Sequence, residues 1–178
     1  MSAEAEVRQV RQELGRLRAH VPQLAGALVA TVDGLVLAED TAAPPGDAPP
    51  PEPESLAALT AAALSVAYQM NEAAGRGTFR ELLIHGERGY VATYAAGASA
   101  VLTLLADDRL NVGRLHLEGR RCAARVGELA TQALASGESA RGADARTAAD
   151  SRTAAAAASS RTGARPPLER RRRNLPSS

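Results

Sequence analysis

Apolar residues recur along the chain with two different periods. Val7, Val10, Leu14, Leu17 and Val21 are spaced by three and four, the signature of an amphipathic helix. Glu4 and Glu6 at its start and Arg16, Arg18 and His20 at its end complement the helix dipole, and Pro22 stops it. Two short apolar runs, 24–32 and 35–38, then flank Asp33-Gly34. They predict a hairpin with a two-residue type I′ turn, which needs positive φ at both central residues. The first run is apolar on both faces, with Leu24, Leu28 and Val32 on one and Ala25, Ala27 and Val29 on the other. Such a strand belongs centrally, in a sheet covered on both sides.

Residues 55–75 predict a second helix, opened by Glu52 and Glu54 and closed by Gly75 and Gly77. Leu56, Leu59, Ala63, Val66 and Met70 form one apolar stripe, and Ala57, Ala61, Leu64 and Tyr68 form another. Charge is absent from Ser55 through Asn71, so the helix has no solvent face of the usual kind. One sheet cannot cover both sides of it, whereas a second copy of the chain can. Strands are predicted at 78–85, 90–96 and 99–105, joined by Gly86-Glu87-Arg88-Gly89 and Gly97-Ala98 as antiparallel meanders. A last helix is expected over Asn111–Ala135, with Leu115, Cys122, Val126, Leu129 and Ala133 on its apolar face. The order αββαβββα gives a single α+β sandwich, a five-stranded antiparallel sheet with three helices on its two faces.

Composition narrows this picture. Of 178 residues, 40 are Ala and only Tyr68, Phe79, Tyr90 and Tyr94 are aromatic, so the core must be closely packed Leu, Val and Ala. All 21 basic residues are Arg, which excludes a P-loop lysine, a Schiff base and a kinase-type lysine. The single Cys122 excludes an internal disulfide and a multi-cysteine zinc site, and reads as a small buried hydrophobe. Residues 1–138 hold 12 Arg against 17 acidic groups, a balance of −5. Residues 139–178 hold 9 Arg against 3, a balance of +6, so the overall +1 conceals an acidic body and a basic tail. The tail, 137–178, has too few large apolar residues to offset its ordering entropy and is expected to be disordered. Six of the ten prolines fall within 41–54, an extended, stiff loop inside the core 23–136 rather than a boundary. The acidic start lacks a secretory signal, and the uncharged stretches 55–71 and 89–106 are too weakly apolar to span a bilayer. A soluble cytoplasmic protein is expected.

Candidate chemistry is sparse. His20, His85 and His116 are scattered without metal-ligand spacing, Ser65 and Ser99 lack a nucleophile elbow, and Gly75-Arg76-Gly77 leads to no phosphate-binding helix. No catalytic, cofactor or metal site is expected. Arg76 and Arg80 are candidate partner contacts, in the extreme as an arginine finger towards a phosphoryl group. Arg170-Arg171-Arg172-Arg173 offers an alternative, phosphate-pairing contact with nucleic acid or another acidic surface.

The hairpin Leu24-Ala25-Gly26-Ala27-Leu28-Val29-Ala30-Thr31-Val32-Asp33-Gly34-Leu35-Val36-Leu37-Ala38, the Ala-rich helix 55–75 and the strand Phe79-Arg80-Glu81-Leu82-Leu83-Ile84 together resemble the roadblock/LC7 domain. Gly89-Tyr90-Val91 leading to Ala100-Val101-Leu102-Thr103-Leu104-Leu105-Ala106 extends the resemblance, which covers residues from about 5 to 136. That family includes dynein light chains and bacterial GTPase regulators, and its actinobacterial members commonly sit beside a sensor kinase and a small GTPase. The resemblance implies a homodimer in which central helices pack together and third strands pair. The expected interface is Leu56, Leu59, Ala63, Val66, Met70, Phe79, Glu81 and Leu83. It further implies regulation of a small Ras-like GTPase in signalling, with a dimeric scaffold linking signalling partners as the alternative.

Overall fold

Packing begins with the stripe on the first helix, α1 (Ala3–His20), whose Val10, Leu14 and Leu17 are buried together with Val21 just beyond it. A computed structural model describes residues 2–42, 49 and 51–161, with side chains as far as residue 139. The proline segment at 43–48 and 50, and the arginine run 170–173, lie outside the described residues. The remaining elements are β1 (Leu24–Thr31), β2 (Val36–Thr41), α2 (Pro53–Ala73), β3 (Glu81–Gly86), β4 (Gly89–Ala96), β5 (Ala100–Asp107) and α3 (Val112–Arg161). The chain divides into two compact units, Met1–Glu138 and Ser139–Ser178. The fold described below is that of the first.

The five strands form one antiparallel sheet in the order β2-β1-β5-β4-β3. β1, apolar on both faces, lies between two neighbours as its sequence demands. Val29, Leu102 and Leu104 face one side and pack with α1 and with Leu115, Cys122 and Val126 of α3. Leu28, Ala30 and Val101 face the other and pack with Ala57 and Leu64 of α2 and with Phe79. Each large aliphatic side chain buried in this way contributes about 1.5–3 kcal/mol relative to its exposed state. Beneath α2 lies a buried row of hydroxyls, with Thr60 3.3 Å from Thr103 and Thr103 3.3 Å from Thr93. α3 lies close against the sheet because two of its contact positions are glycine. A Cβ on Gly119 would fall 2.5 Å from the Tyr94 ring, and one on Gly127 2.7 Å from the Ala96 carbonyl carbon. Asn111 caps this helix by accepting a hydrogen bond from the Arg114 N–H at 3.1 Å.

Three local expectations are corrected. The β1–β2 connection is not a type I′ turn, since Asp33 has no positive φ and only Gly34 does, at 87°. Instead the Gly34 N–H donates to Thr31 O at 2.9 Å and the Thr31 N–H to Leu35 O at 2.8 Å, the pattern of a three-residue loop ending in a left-handed glycine. β3 begins at Glu81 and not at Thr78, because Phe79 turns beneath α2 into the core. Residue 80 keeps a single tie to the sheet, its carbonyl accepting from the Ala95 N–H at 3.0 Å. Finally, the helical assignment that begins at Val112 continues past Ala135 to Arg161. The helix thus ends later than expected, which follows from alanine's helix propensity and the lack of any proline between Val112 and Pro166.

Gly34 combines a left-handed backbone with close approach to α2, where an added Cβ would meet Ala58 Cα at 3.2 Å. Gly34→Val is therefore expected to destabilise the fold by about 1–3 kcal/mol. A urea titration should show a lower midpoint at an unchanged slope; an unshifted midpoint would show the turn to be free to rearrange.

Candidate functional site

The sequence of α2 determines which of its faces is left over. Ala57, Thr60 and Leu64, spaced by three and four, are buried on the sheet. On the opposite side Leu59, Val66 and Met70 stand 68%, 56% and 68% exposed, an apolar ridge without charge. Leu56 and Ala63 flank this ridge, both half-buried. At the edge of the sheet opposite β2 lies β3, a strand with no neighbour beyond it among the described residues. Its side chains alternate: Leu82 packs with the α2-side core, Leu83 with the opposite core, and Ile84 is half exposed. Of the residues expected at an interface, Leu59, Val66 and Met70 thus share one open surface. Phe79 is elsewhere, only 6% exposed, packed with Leu64 and 5.1 Å from the Tyr68 ring. Its side chain fills the core beneath its own α2.

The end of α2 places Arg76. Gly75, at φ 63°, donates its N–H to Glu72 O at 2.9 Å, and the Arg76 N–H reaches back to Asn71 O at 3.0 Å. This paired closure is a Schellman motif, made possible by glycine at the left-handed position. The Asn71 amide then donates to Gly77 O at 2.6 Å and holds the following turn. Arg76, Arg80 and Arg120 line an open groove of about 730 Å³ between this turn and α3, floored by Ala95, Ala123 and Ala124.

Glu81 joins the edge strand to α3. Its carboxylate accepts two hydrogen bonds from Arg120, at 2.7 Å from Nε and 2.6 Å from Nη2. His116 Nδ1 lies 3.5 Å away, and the Tyr94 hydroxyl is 3.2 Å from that same nitrogen. The Arg120 hydrogen bonds, aided by the positive field of His116 and Arg80, hold the Glu81 carboxyl below the usual range. Burial, with the Glu81 charge nearby, raises the Tyr94 phenol. Burial likewise pushes the Cys122 thiol up to about 11, which makes it unreactive. No cluster of metal-ligating side chains and no helix able to cross a membrane occur among the described residues. Sequence reasoning missed Arg120, His116 and Tyr94 as partners in this hydrogen-bonded cluster. The pair Glu81–Arg120 spans 39 residues and leaves no local spacing to find it by.

The Roadblock/LC7 domain model matches residues 11–106. The chain belongs to this family. An uncharacterized protein of Methanocaldococcus jannaschii is 30% identical over 101 residues, which cover 57% of this chain and 82% of that protein. Among solved structures, the gliding protein MglB of Thermus thermophilus is similar at 25% identity with a TM-score of 0.64, covering 72% of this chain and 93% of its own. An MglB in a tetrameric arrangement is similar at 27% identity with a TM-score of 0.66 and the same coverage. The match to the roadblock domain model closes with β5, so α3 and its arginines lie beyond the matched segment.

Because the folded Glu81 carboxyl is depressed, its stabilisation is full above the ordinary carboxylate range and is lost as pH falls through the depressed value. Arg120→Ala should therefore return the Glu81 titration upward and flatten that part of the acid limb of stability. Carboxyl-carbon NMR titration checks the first effect and denaturation between acid and neutral pH the second; an unmoved Glu81 titration would exclude Arg120 as the cause.

Proposed function

We propose that this roadblock domain protein is a non-catalytic homodimer that docks a small Ras-like GTPase in the cytoplasm and biases its switch loops towards one nucleotide state. One observation carries the reading: the uncharged ridge Leu59, Val66 and Met70 is left in water by its own protomer. Burying each such side chain is worth about 1.5–3 kcal/mol, so three from each of two copies supply a large driving force for association. The open edge of β3 offers unpaired backbone groups as well, so that in the proposal helix packing and strand pairing act together. Leu56, Ala63, Glu81 and Leu83 belong to this interface in the proposal, with Phe79 supporting it from beneath. Ala62 and Ala63 permit close helix approach. The likeness to an MglB in a tetrameric arrangement supports an assembly of several copies. Arg76 and Arg80 face outward beside the interface and are the proposed GTPase contacts. A sensor kinase is a further partner under this reading. Regulation acts through population shift, since docking that favours one switch conformation changes hydrolysis or exchange without donating a reacting group.

Leu59→Asp with Val66→Asp should yield a folded monomer, because neither residue contributes to the protomer's own core. Sedimentation velocity at micromolar concentration is expected to show a dimer for the parent chain and a monomer for the variant; a monomeric parent refutes the homodimer. Nucleotide hydrolysis and exchange by a small GTPase encoded beside this protein should change severalfold when the dimer is added. Binding without any kinetic effect would establish the scaffold reading instead, and absence of binding would end both.

A further inference from the structure

We propose that the groove between the end of α2 and α3 is a carboxylate-recognition site that receives an acidic segment of a protein partner. The proposal rests on the reading that this molecule docks another protein, and not on that protein being a GTPase.

Three guanidinium groups line the groove, and they are not equivalent. Arg120 is committed, since both its hydrogen-bonding edges towards Glu81 are in use. Arg76 and Arg80 form no ion pair within 4 Å among the described residues, and Arg80 acts on Glu81 only through space. The groove therefore carries two unneutralised cations, on a body, residues 1–138, whose overall balance is −5. Such a local reversal of sign directs an anionic group to this spot and away from the rest of the surface. The backbone that carries these two arginines is fixed. The Schellman closure fixes Arg76, the Asn71–Gly77 hydrogen bond fixes the turn, and the Ala95–Arg80 hydrogen bond ties Arg80 to β4. Each guanidinium is planar and presents paired donors suited to a carboxylate.

The walls favour a peptide over a nucleotide or nucleic acid. Phe79 and Tyr94, the aromatic residues lining the groove, are 6% and 1% exposed and present no face on which a base can stack. Ala95, Ala123 and Ala124 leave room for a main chain to lie along the floor.

The test uses the full chain labelled with nitrogen-15 and a short glutamate-rich peptide blocked at both ends. Titration is expected to shift the Nε–H resonances of Arg76 and Arg80 saturably, with Arg120 Nε–H moving less. Arg76→Ala with Arg80→Ala should weaken the apparent Kd by about tenfold. Replacing Arg170, Arg171, Arg172 and Arg173 by Ala in the full chain should leave it unchanged. The matching glutamine peptide should not bind. The proposal is overturned if the glutamine peptide binds equally, if only the tail replacement abolishes binding, or if neither arginine resonance moves. It is equally overturned if inorganic pyrophosphate shifts both resonances while the glutamate peptide does not. Peptide binding by a protein that leaves GTPase kinetics untouched supports this site and refutes only the regulator reading.

Discussion

A helix with apolar side chains on every side needs more cover than one sheet face can give. α2 buries Ala57, Thr60 and Leu64 against the sheet and leaves Leu59, Val66 and Met70 in water. A charged residue on that outer side would have removed the problem, yet none occurs between Ser55 and Asn71. The rest of the molecule is arranged around this constraint. Both remaining helices sit on the opposite sheet face, β3 lies open at one edge, and the arginine-bearing turn follows directly from the helix's glycine closure.

The opposite face is conventional by comparison, and its role is support. α1 and α3 cover the sheet with a continuous aliphatic layer, drawn in by Gly119 and Gly127. Ion pairs decorate that layer: burial works against the Glu13 carboxylate, but hydrogen bonds from Arg125 and Arg16 hold its titration below the ordinary range. Arg18 reaches Asp40 at 2.6 Å and ties α1 to β2. Glu81 with Arg120 does the corresponding work at the far edge, so the strand that is open to a partner is braced from behind.

Much of this was legible in the residue pattern. The element order, the α2 stripes and the central position of β1 follow from periodicities that tertiary packing reinforces. The type I′ expectation failed because Asp-Gly serves equally well in a three-residue loop, and only the position of Thr31 opposite Leu35 distinguishes the two. The resemblance places Phe79 at an interface through the pairing of third strands. Its fate depends on Leu64 and Tyr68, more than ten residues away in the chain. The groove was half legible: Arg76 and Arg80 lie beside a visible glycine signal, whereas Arg120 joins them only through the three-dimensional course of α3.

The hydroxyl row Thr60–Thr103–Thr93 bears on how this molecule meets other molecules. Aliphatic contacts alone would let α2 roll on the sheet with little penalty, whereas a roll of one residue would strand buried oxygens without partners. The row therefore acts as a keyway that fixes the helix's azimuth. Whatever settles on the outer ridge finds it already aimed, and little ordering entropy remains to be spent on contact.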